Sequence, residues 1–369
     1  MPAGRVEVAT LSGVAARNEQ ARSRVSTPVL TKQLRGLLGT GTLTLFAVML
    51  VAVYLMPLAY SGAVATRGAS VEADQPLWPS DPARFSYNGQ DYDLYRVPID
   101  GQTRTLALTR PGRENSTFID PSNPTQNIEW QGRWRTLDRV WIFSPHWGNF
   151  SEAWKITNFG RLLFNTLAIA IIGTIGAVGS AVIVGYGFAR FRIPGKTILF
   201  TILVGTIILP QQVTIVPTYA MFTRIGWVGT WLPLLVPHFF ANAYNVFLLR
   251  QFFMSIPRDM DEAAMIDGAG PLRILWSVIV PQSWPAIIAV CLFHFFFAWN
   301  DFLGPLVYLV GHEELWPISV GMSYFTGQYT QLPHLIQATA LMALALPVLI
   351  FVLAQKVFVQ GVVVTGVEK

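Results

Sequence analysis

The sequence predicts an all-α polytopic membrane protein of six transmembrane helices, with a β-rich external domain inserted between helices 1 and 2. Three observations predict it. Of the 369 residues, 52% are hydrophobic and 13% charged, with a mean hydropathy of +0.43, whereas soluble domains carry about 25% charged residues. Apolar stretches long enough to cross a hydrocarbon core of about 30 Å recur along the chain. From about Arg67 to Trp154, after the first of them, the chain turns polar and is punctuated by Pro, Gly, Asn and Asp.

In chain order, residues 1–36 are polar and carry Arg5, Arg17, Arg22, Arg24, Lys32 and Arg35. The apolar run behind them starts too late for a cleaved signal peptide, so they read as a cytoplasmic tail. Residues 37–60 are the first span. Residues 61–157 form the external insert. Within it, aromatics either side of Asn88-Gly89 signal a hairpin, Thr103–Thr109 alternates weakly, and Ile128–Ile142 holds three tryptophans. Ser151–Arg161 is an amphipathic approach to the membrane.

Residues 158–369 hold the other five spans. Leu162–Tyr186 carries Gly173, Gly176 and Gly179 at a spacing that lets helices approach closely. Thr197–Phe222 is broken by Pro210 and Pro217, which requires protein or a water-filled cavity alongside. Trp231–Leu249, Pro285–Val307 and His334–Gln355 follow. Arg190, Arg192 and Lys196, and then Arg250, Arg258 and Arg273, place their loops inside. The segment 310–333 has no Lys or Arg and lies outside, so both termini are cytoplasmic.

The inner loop 250–284 reads as ordered. Pro257 suits a first helical turn, and Asp259, Asp261 and Glu262 suit the positive end of a helix dipole. Met260, Ala263, Ala264 and Asp267 share a face of mostly small side chains. Gly268 and Gly270 end that helix, and Pro271 begins a second one that runs from Leu272 to Val280. A helix–turn–helix of this kind fits a groove on another protein.

Several chemistries find no support in the sequence. The lone Cys291 sits in an apolar span and permits no disulfide within the chain. Five scattered histidines make no metal motif. There is no phosphate-cradling glycine loop, so the chain is not expected to bind ATP. The net charge of +5 is explained by inner loops and does not call for nucleic acid. A membrane enzyme or secondary transporter would need acids in several spans, and apart from Asp301 the spans are nearly free of them.

The inner loop also resembles that of ABC-importer permeases. Glu262-Ala263-Ala264 is followed after three residues by Gly268, and nine residues further by Val278-Ile279-Val280-Pro281, where the family has Ile-x-Leu-Pro. Asn165-Thr166, Tyr186 to Gly195, Ile208 to Pro217, Trp299-Asn300-Asp301-Phe302 and Phe358 to Gly361 resemble the carbohydrate branch, specifically the G-type subunit of maltose-type transporters. The resemblance covers residues 37–60 loosely and 158–369 well, and does not extend to the insert.

This resemblance implies the type I importer permease fold and a multi-pass subunit of a bacterial inner membrane. Its partners would be a second homologous permease, two copies of a cytosolic ATPase that bind ATP and Mg, an extracytoplasmic sugar-binding protein and membrane lipid. The chain itself would be no enzyme and hold no cofactor or metal. Glu262, Ala263, Ala264, Asp267 and Gly268 would couple it to the ATPase, with Glu262 meeting an arginine there. Asn242, Tyr244, Asn245, Trp299, Asn300 and Asp301 are candidates for the substrate pathway, because sugars need planar hydrogen-bonding groups and aromatic faces; helix packing or capping is the alternative for Asn300 and Asp301. Gly321, Ser323, Tyr324 and Gly327 suit a mobile polar finger that reaches the binding protein. A sugar is the expected solute, and a glycerol-phosphate compound the alternative.

Overall fold

The computed structural model describes residues 39–69, 74–325 and 332–363, the last helix beyond Gln355 by its backbone alone. The predicted tail 1–36, Gly327 and the chain end from Val364 lie outside the described residues. Two compact units divide the chain between Ser61 and Gly62. The first holds most of α1 (Gly39–Ala65), an apolar helix whose side chains are exposed throughout residues 39–60.

In the second unit, eight strands lie between residues 80 and 143. They are β1 (Ser80–Pro82), β2 (Arg84–Tyr87), β3 (Gln90–Ile99), β4 (Gln102–Arg110), β5 (Asn115–Asp120), β6 (Asn123–Gln131), β7 (Asp138–Arg139) and β8 (Trp141–Phe143). An antiparallel sheet runs β2-β3-β4-β5-β6, with β7 also pairing β3, and β1 pairs β8 separately. The expected hairpin is present: Asn88 (φ 53°) and Gly89 (φ 78°) link Tyr87 to its partner Gln90. Asp100 (φ 49°) and Gly101 (φ 75°) make a second two-residue turn of the same hand. Period-two alternation puts Tyr95 and Val97 on one face, where they pack with Leu106, Phe118 and the half-buried Trp130 and Trp134.

The helical part is organised around α3 (Phe159–Arg190), preceded by α2 (Gly148–Ile156). A left-handed Asn158 (φ 52°) separates the two, so the amphipathic approach is a helix of its own. Val178, Ala181 and Val182 of α3 share one core with Val246, Leu249 and Phe253 of α7 (Ala243–Ser255) and with Ile287 and Val290 of α11 (Trp284–Trp299). The close-packing glycines are not quite those expected. A Cβ on Gly173 would come within 3.0 Å of the His238 ring, and one on Gly176 within 2.7 Å of Phe239, but Gly179 faces open space. Gly185 takes the third place, 3.4 Å from the Arg250 backbone.

The remaining predicted spans are more broken than hydropathy indicates. The third is α4 (Lys196–Gly205), a 3-10 turn and α5 (Gln211–Arg224), bent by 100°. Pro210, which has no N–H to donate, stands at the break. The fourth, predicted over Trp231–Leu249, divides into α6 (Leu232–Leu235), a 3-10 turn over Val236–Phe239 and α7. Pro237 removes a helix donor, Ala241 takes φ 44°, and Asn242 restarts the helix by accepting from the amides of Tyr244 and Asn245. The fifth also divides, after α11, with α12 (Leu303–Tyr308) resuming beyond Asn300.

The segment 250–284 contains α8 (Asp259–Ile266) and α9 (Pro271–Ile274), a π-helical turn (Leu275–Ile279) and α10 (Val280–Gln282). Pro257 stands ahead of α8, with Arg258 as the cap, rather than inside the first turn. The second helix does not stop before Pro281 but carries it into α10. An 82° bend then leads into α11. Downstream, α13 (Ile318–Gly321) and a 3-10 turn (Met322–Phe325) precede α14 (Pro333–Val363). Among the described residues, four helices are long and apolar enough to cross a membrane, or six if each bent pair is one span.

Candidate functional site

The site grows from the C-terminal end of α3. Arg190 occupies its last turn, where a cation complements the helix dipole. The guanidinium is not solvated. Arg190 Nε lies 2.9 Å from Asp261 Oδ2, and the two side chains are only 7% and 9% exposed. Its Nη2 also donates to the Ile256 carbonyl at 2.9 Å, so one side chain holds both the exit from α7 and the first turn of α8. One turn earlier on α3, the Tyr186 hydroxyl donates to the Pro271 carbonyl at 3.2 Å, which holds the start of α9. Both arms of the elbow are therefore tied to a single helix.

The turn between the arms is a Schellman motif. Gly268 N donates to Met265 O at 3.0 Å and Ala269 N to Ala264 O at 2.9 Å, with Gly268 at φ +76°. Asp267 is the C-cap residue of α8. Ala264 and Ala269 are half-buried against the α3–α7 core, while Glu262 and Ala263 are exposed. Asp261 points inward and Glu262, the next residue, outward. A cavity of about 290 Å³ opens here, lined by Tyr186, Arg190, Phe191, Arg258, Glu262 and Met265 among others. Around it Met265, Ile266 and Leu272 are 58%, 88% and 70% exposed, an apolar rim on a polar elbow. Sequence reasoning gave Asp261 a dipole role only and missed its ion pair. The signal was there as an arginine ending one apolar run and an acid opening the next ordered segment, but their pairing needs the fold.

The other candidate residues lie elsewhere. Asn242 and Tyr244 are exposed at the far end of α7, roughly 20 Å along that helix from the elbow by helical rise. Asn245 is buried, and its amide lies 3.1 Å from His294 Nδ1; His294 Nε2 in turn lies 3.2 Å from His238 Nδ1. This buried polar chain was missed because the histidines were considered only as metal ligands. Trp299 is buried with Phe159, Leu162 and Ile318. Asn300 donates to the Phe296 carbonyl at 2.7 Å, and Asp301 Oδ1 accepts from Gly304 N at 3.2 Å, so this pair caps the two helices it separates.

The segment expected to be a mobile finger is folded as far as it is described. Ile318, Val320, Gly321 and Phe325 are buried, and a Cβ on Gly321 would meet Leu162 at 2.3 Å. Asn165 and Thr166 explain this. The Asn165 amide donates to the Glu314 and Trp316 carbonyls at 2.9 Å each, and the Thr166 hydroxyl accepts from Ile318 N at 2.9 Å. Ser323 donates to the Val320 carbonyl at 2.7 Å. The Tyr324 hydroxyl donates to the Glu313 carboxylate. Burial, followed by that hydrogen bond and the Glu313 charge, pushes the phenol up to about 12. Among the described residues no three His, Cys, Asp or Glu side chains gather as a metal site.

Residues 181–364 match the family model of the binding-protein-dependent transport system inner membrane component. The chain is 31% identical over 275 residues to the osmoprotective compounds uptake permease protein GgtD of Synechocystis sp., covering 74% of this chain and 92% of that one. It is 31% identical over 245 residues to the sn-glycerol-3-phosphate transport system permease protein UgpE of Pectobacterium atrosepticum, covering 62% and 86%. In fold it is similar to a chain of a bacterial ABC transporter involved in the import of the acidic polysaccharide alginate, with a TM-score of 0.56 at 18% identity over 88% of this chain and 97% of that one.

Proposed function

This chain belongs to the binding-protein-dependent inner membrane components of ABC importers, and from that premise we propose that it is a carbohydrate permease driven through the elbow at Glu262. As a permease subunit it is a transport component and not an enzyme; ATP is hydrolysed on a separate subunit, beside a second permease and a substrate-binding protein. In our reading the ATPase is present as two cytosolic copies, the binding protein takes a sugar, six spans cross the bacterial membrane with both termini inside, and the β unit lies outside.

The observation that carries this reading is the elbow: an exposed carboxylate at Glu262, an apolar rim, and a backbone anchored on α3 by a buried ion pair. Such a surface suits a partner that supplies a cation in an otherwise apolar groove, where a charge-assisted hydrogen bond contributes about 1.5–3 kcal/mol. ATP would act by binding better to the transporter's outward-open state, since a ligand shifts an equilibrium only by its differential affinity. Midway along the fourth predicted span, the exposed Asn242 and Tyr244 offer a polar and an aromatic group to a sugar.

A second reading, favoured by the similarity to the glycerol-phosphate permease, is that the solute is a glycerol-phosphate compound. Reconstitution with the co-purified partners tests both. Vanadate-sensitive uptake of a neutral sugar supports the first; uptake of glycerol 3-phosphate alone replaces it with the second. Crosslinks from position 262 that never reach an ATPase subunit remove the coupling role.

A further inference from the structure

The β unit holds a second cavity, of about 330 Å³, far in sequence from the elbow. Trp78, Trp141, Arg96, Arg139, Asp74 and Asp138 contribute to its lining. We propose that it is a saccharide-binding site on the insert, separate from the transport pathway. The proposal rests on the external placement of the insert, and not on which solute the transporter carries.

The cavity is built rather than incidental. Its two sides come from distant parts of the chain, brought together where β1 pairs with β8 and Pro82 stands opposite Trp141. The segment carrying Trp78 is pinned at both ends. Buried Arg67 donates to the Pro76 carbonyl at 2.6 Å, and the Gln75 amide donates to the Ser80 carbonyl at 2.8 Å. Arg139 is held rigidly, its Nε 3.2 Å from the Tyr95 hydroxyl and its guanidinium carbon 5.6 and 5.5 Å from the Tyr95 and Trp141 ring centres. It also lies 3.9 Å from Asp74 and 3.8 Å from Asp93. Arg96 and Asp138 are register partners on neighbouring strands, so a cation and an acid stand side by side at the rim.

The chemistry selects the ligand class. Two arginines and two aspartates lining one cavity balance in charge, which suits a neutral ligand better than a phosphate or a polyanion. Planar guanidinium and carboxylate groups make paired hydrogen bonds to vicinal hydroxyls. An indole offers a flat apolar face to the C–H side of a sugar ring, and Trp78 is 56% exposed despite its size. The volume lies at the lower end of small-molecule sites, which fits one or two sugar rings and not a folded partner.

The test uses the full chain in lipid nanodiscs, titrated with maltose, sucrose, trehalose and cellobiose, and with glycerol 3-phosphate as the anionic control. Saturation-transfer NMR reports contact with sugar protons, and tryptophan fluorescence reports saturation. At least one disaccharide is expected to bind saturably, with affinity reduced about tenfold or more in Trp78→Ala and in Arg96→Ala. Both side chains are exposed, so these variants keep the fold; Arg110→Ala, exposed on β4 and outside the cavity lining, is expected to bind as the parent does. Absence of saturable binding by all four sugars, affinity unchanged in both variants, or binding of glycerol 3-phosphate alone overturns the proposal. Sugar uptake without binding here sinks this site and leaves the carbohydrate permease standing; binding here with uptake of glycerol 3-phosphate alone does the reverse.

Discussion

Replacing Asp261 by Asn keeps the shape of the side chain and removes its charge, leaving Arg190 ionised in a place where it is 7% exposed. An ion pair on an open surface contributes about 0–1 kcal/mol, but losing one partner of a buried pair costs about 3–5 kcal/mol. The exposures of 7% and 9% put this pair in the second class. Because Arg190 also holds the Ile256 carbonyl, the cost falls on the junction of α7 and α8 rather than on the whole bundle. A local penalty of that size raises the population of the opened elbow by a factor on the order of 10²–10⁴. Hydrogen exchange in a purified nanodisc sample reads this directly: amides in residues 257–274 lose protection by that factor, while those of α3 before Tyr186 keep theirs. Uptake should fall with them. The double variant Arg190→Met with Asp261→Leu should regain part of the protection, since an apolar pair of similar volume often matches a buried ion pair. A deficit of about 1–3 kcal/mol should remain from the stranded Ile256 carbonyl. If Asp261→Asn exchanges like the parent, or if the double variant is no better than either single one, the ion pair does not hold the elbow and the reasoning fails.

Further outcomes follow from the same structure. Glu262→Ala should leave membrane insertion and elbow protection unchanged, because the side chain is exposed, yet lower ATPase-coupled uptake by at least about tenfold, in line with a lost charge-assisted contact of 1.5–3 kcal/mol. Gly268→Ala meets no neighbour but must adopt φ +76°, so it should cost about 1–2 kcal/mol of elbow stability by exchange. Gly321→Ala should cost about 1–3 kcal/mol through its clash with Leu162, read as a lower thermal midpoint. For Tyr324, a phenol raised from 10.0 to about 12 holds its proton more tightly in the folded state than in the unfolded one. Its contribution to stability is therefore full below pH 10 and lost as the pH rises through about 12. Ultraviolet difference titration of the parent against Tyr324→Phe should show that ionisation, and Glu313→Gln should move it down.

What could be read from the sequence was what repeats or what needs a special backbone. Apolar runs located the long helices, Asn88-Gly89 located a hairpin, and Gly268 with Pro271 located the joint of the elbow, since each is a local requirement. Helix interruptions at Ala241 and Asn300 were not legible, because a hydropathy window averages over the few polar residues that cap a break. The folded state of residues 318–325 was hidden for a different reason: Gly321 and Ser323 look like loop residues until Asn165 and Thr166 are placed beside them from some 150 positions away. A shorter separation, still far beyond any local pattern, concealed Arg190 and Asp261. Sequence pattern reports which face a side chain takes on its own element; which partner meets it there is a property of the assembled bundle.

That assembly gives α3 a role beyond packing. At its C-terminal end it grips both arms of the elbow, through Arg190 to Asp261 and Ile256 and through Tyr186 to Pro271. Near its N-terminal end Asn165 and Thr166 grip the backbone of residues 314–318. The helix between them is continuous over 32 residues, roughly 48 Å at the α-helical rise, and has no proline in its interior. A force applied at the elbow therefore needs no chain of rearranging side chains to reach the far segment: a rigid rod fixed at both ends moves them together. Breaks in the third, fourth and fifth spans complete the argument. They lie in the elements packed around α3 or next to it, so a rod displaced from the elbow would find its neighbours free to bend at their caps.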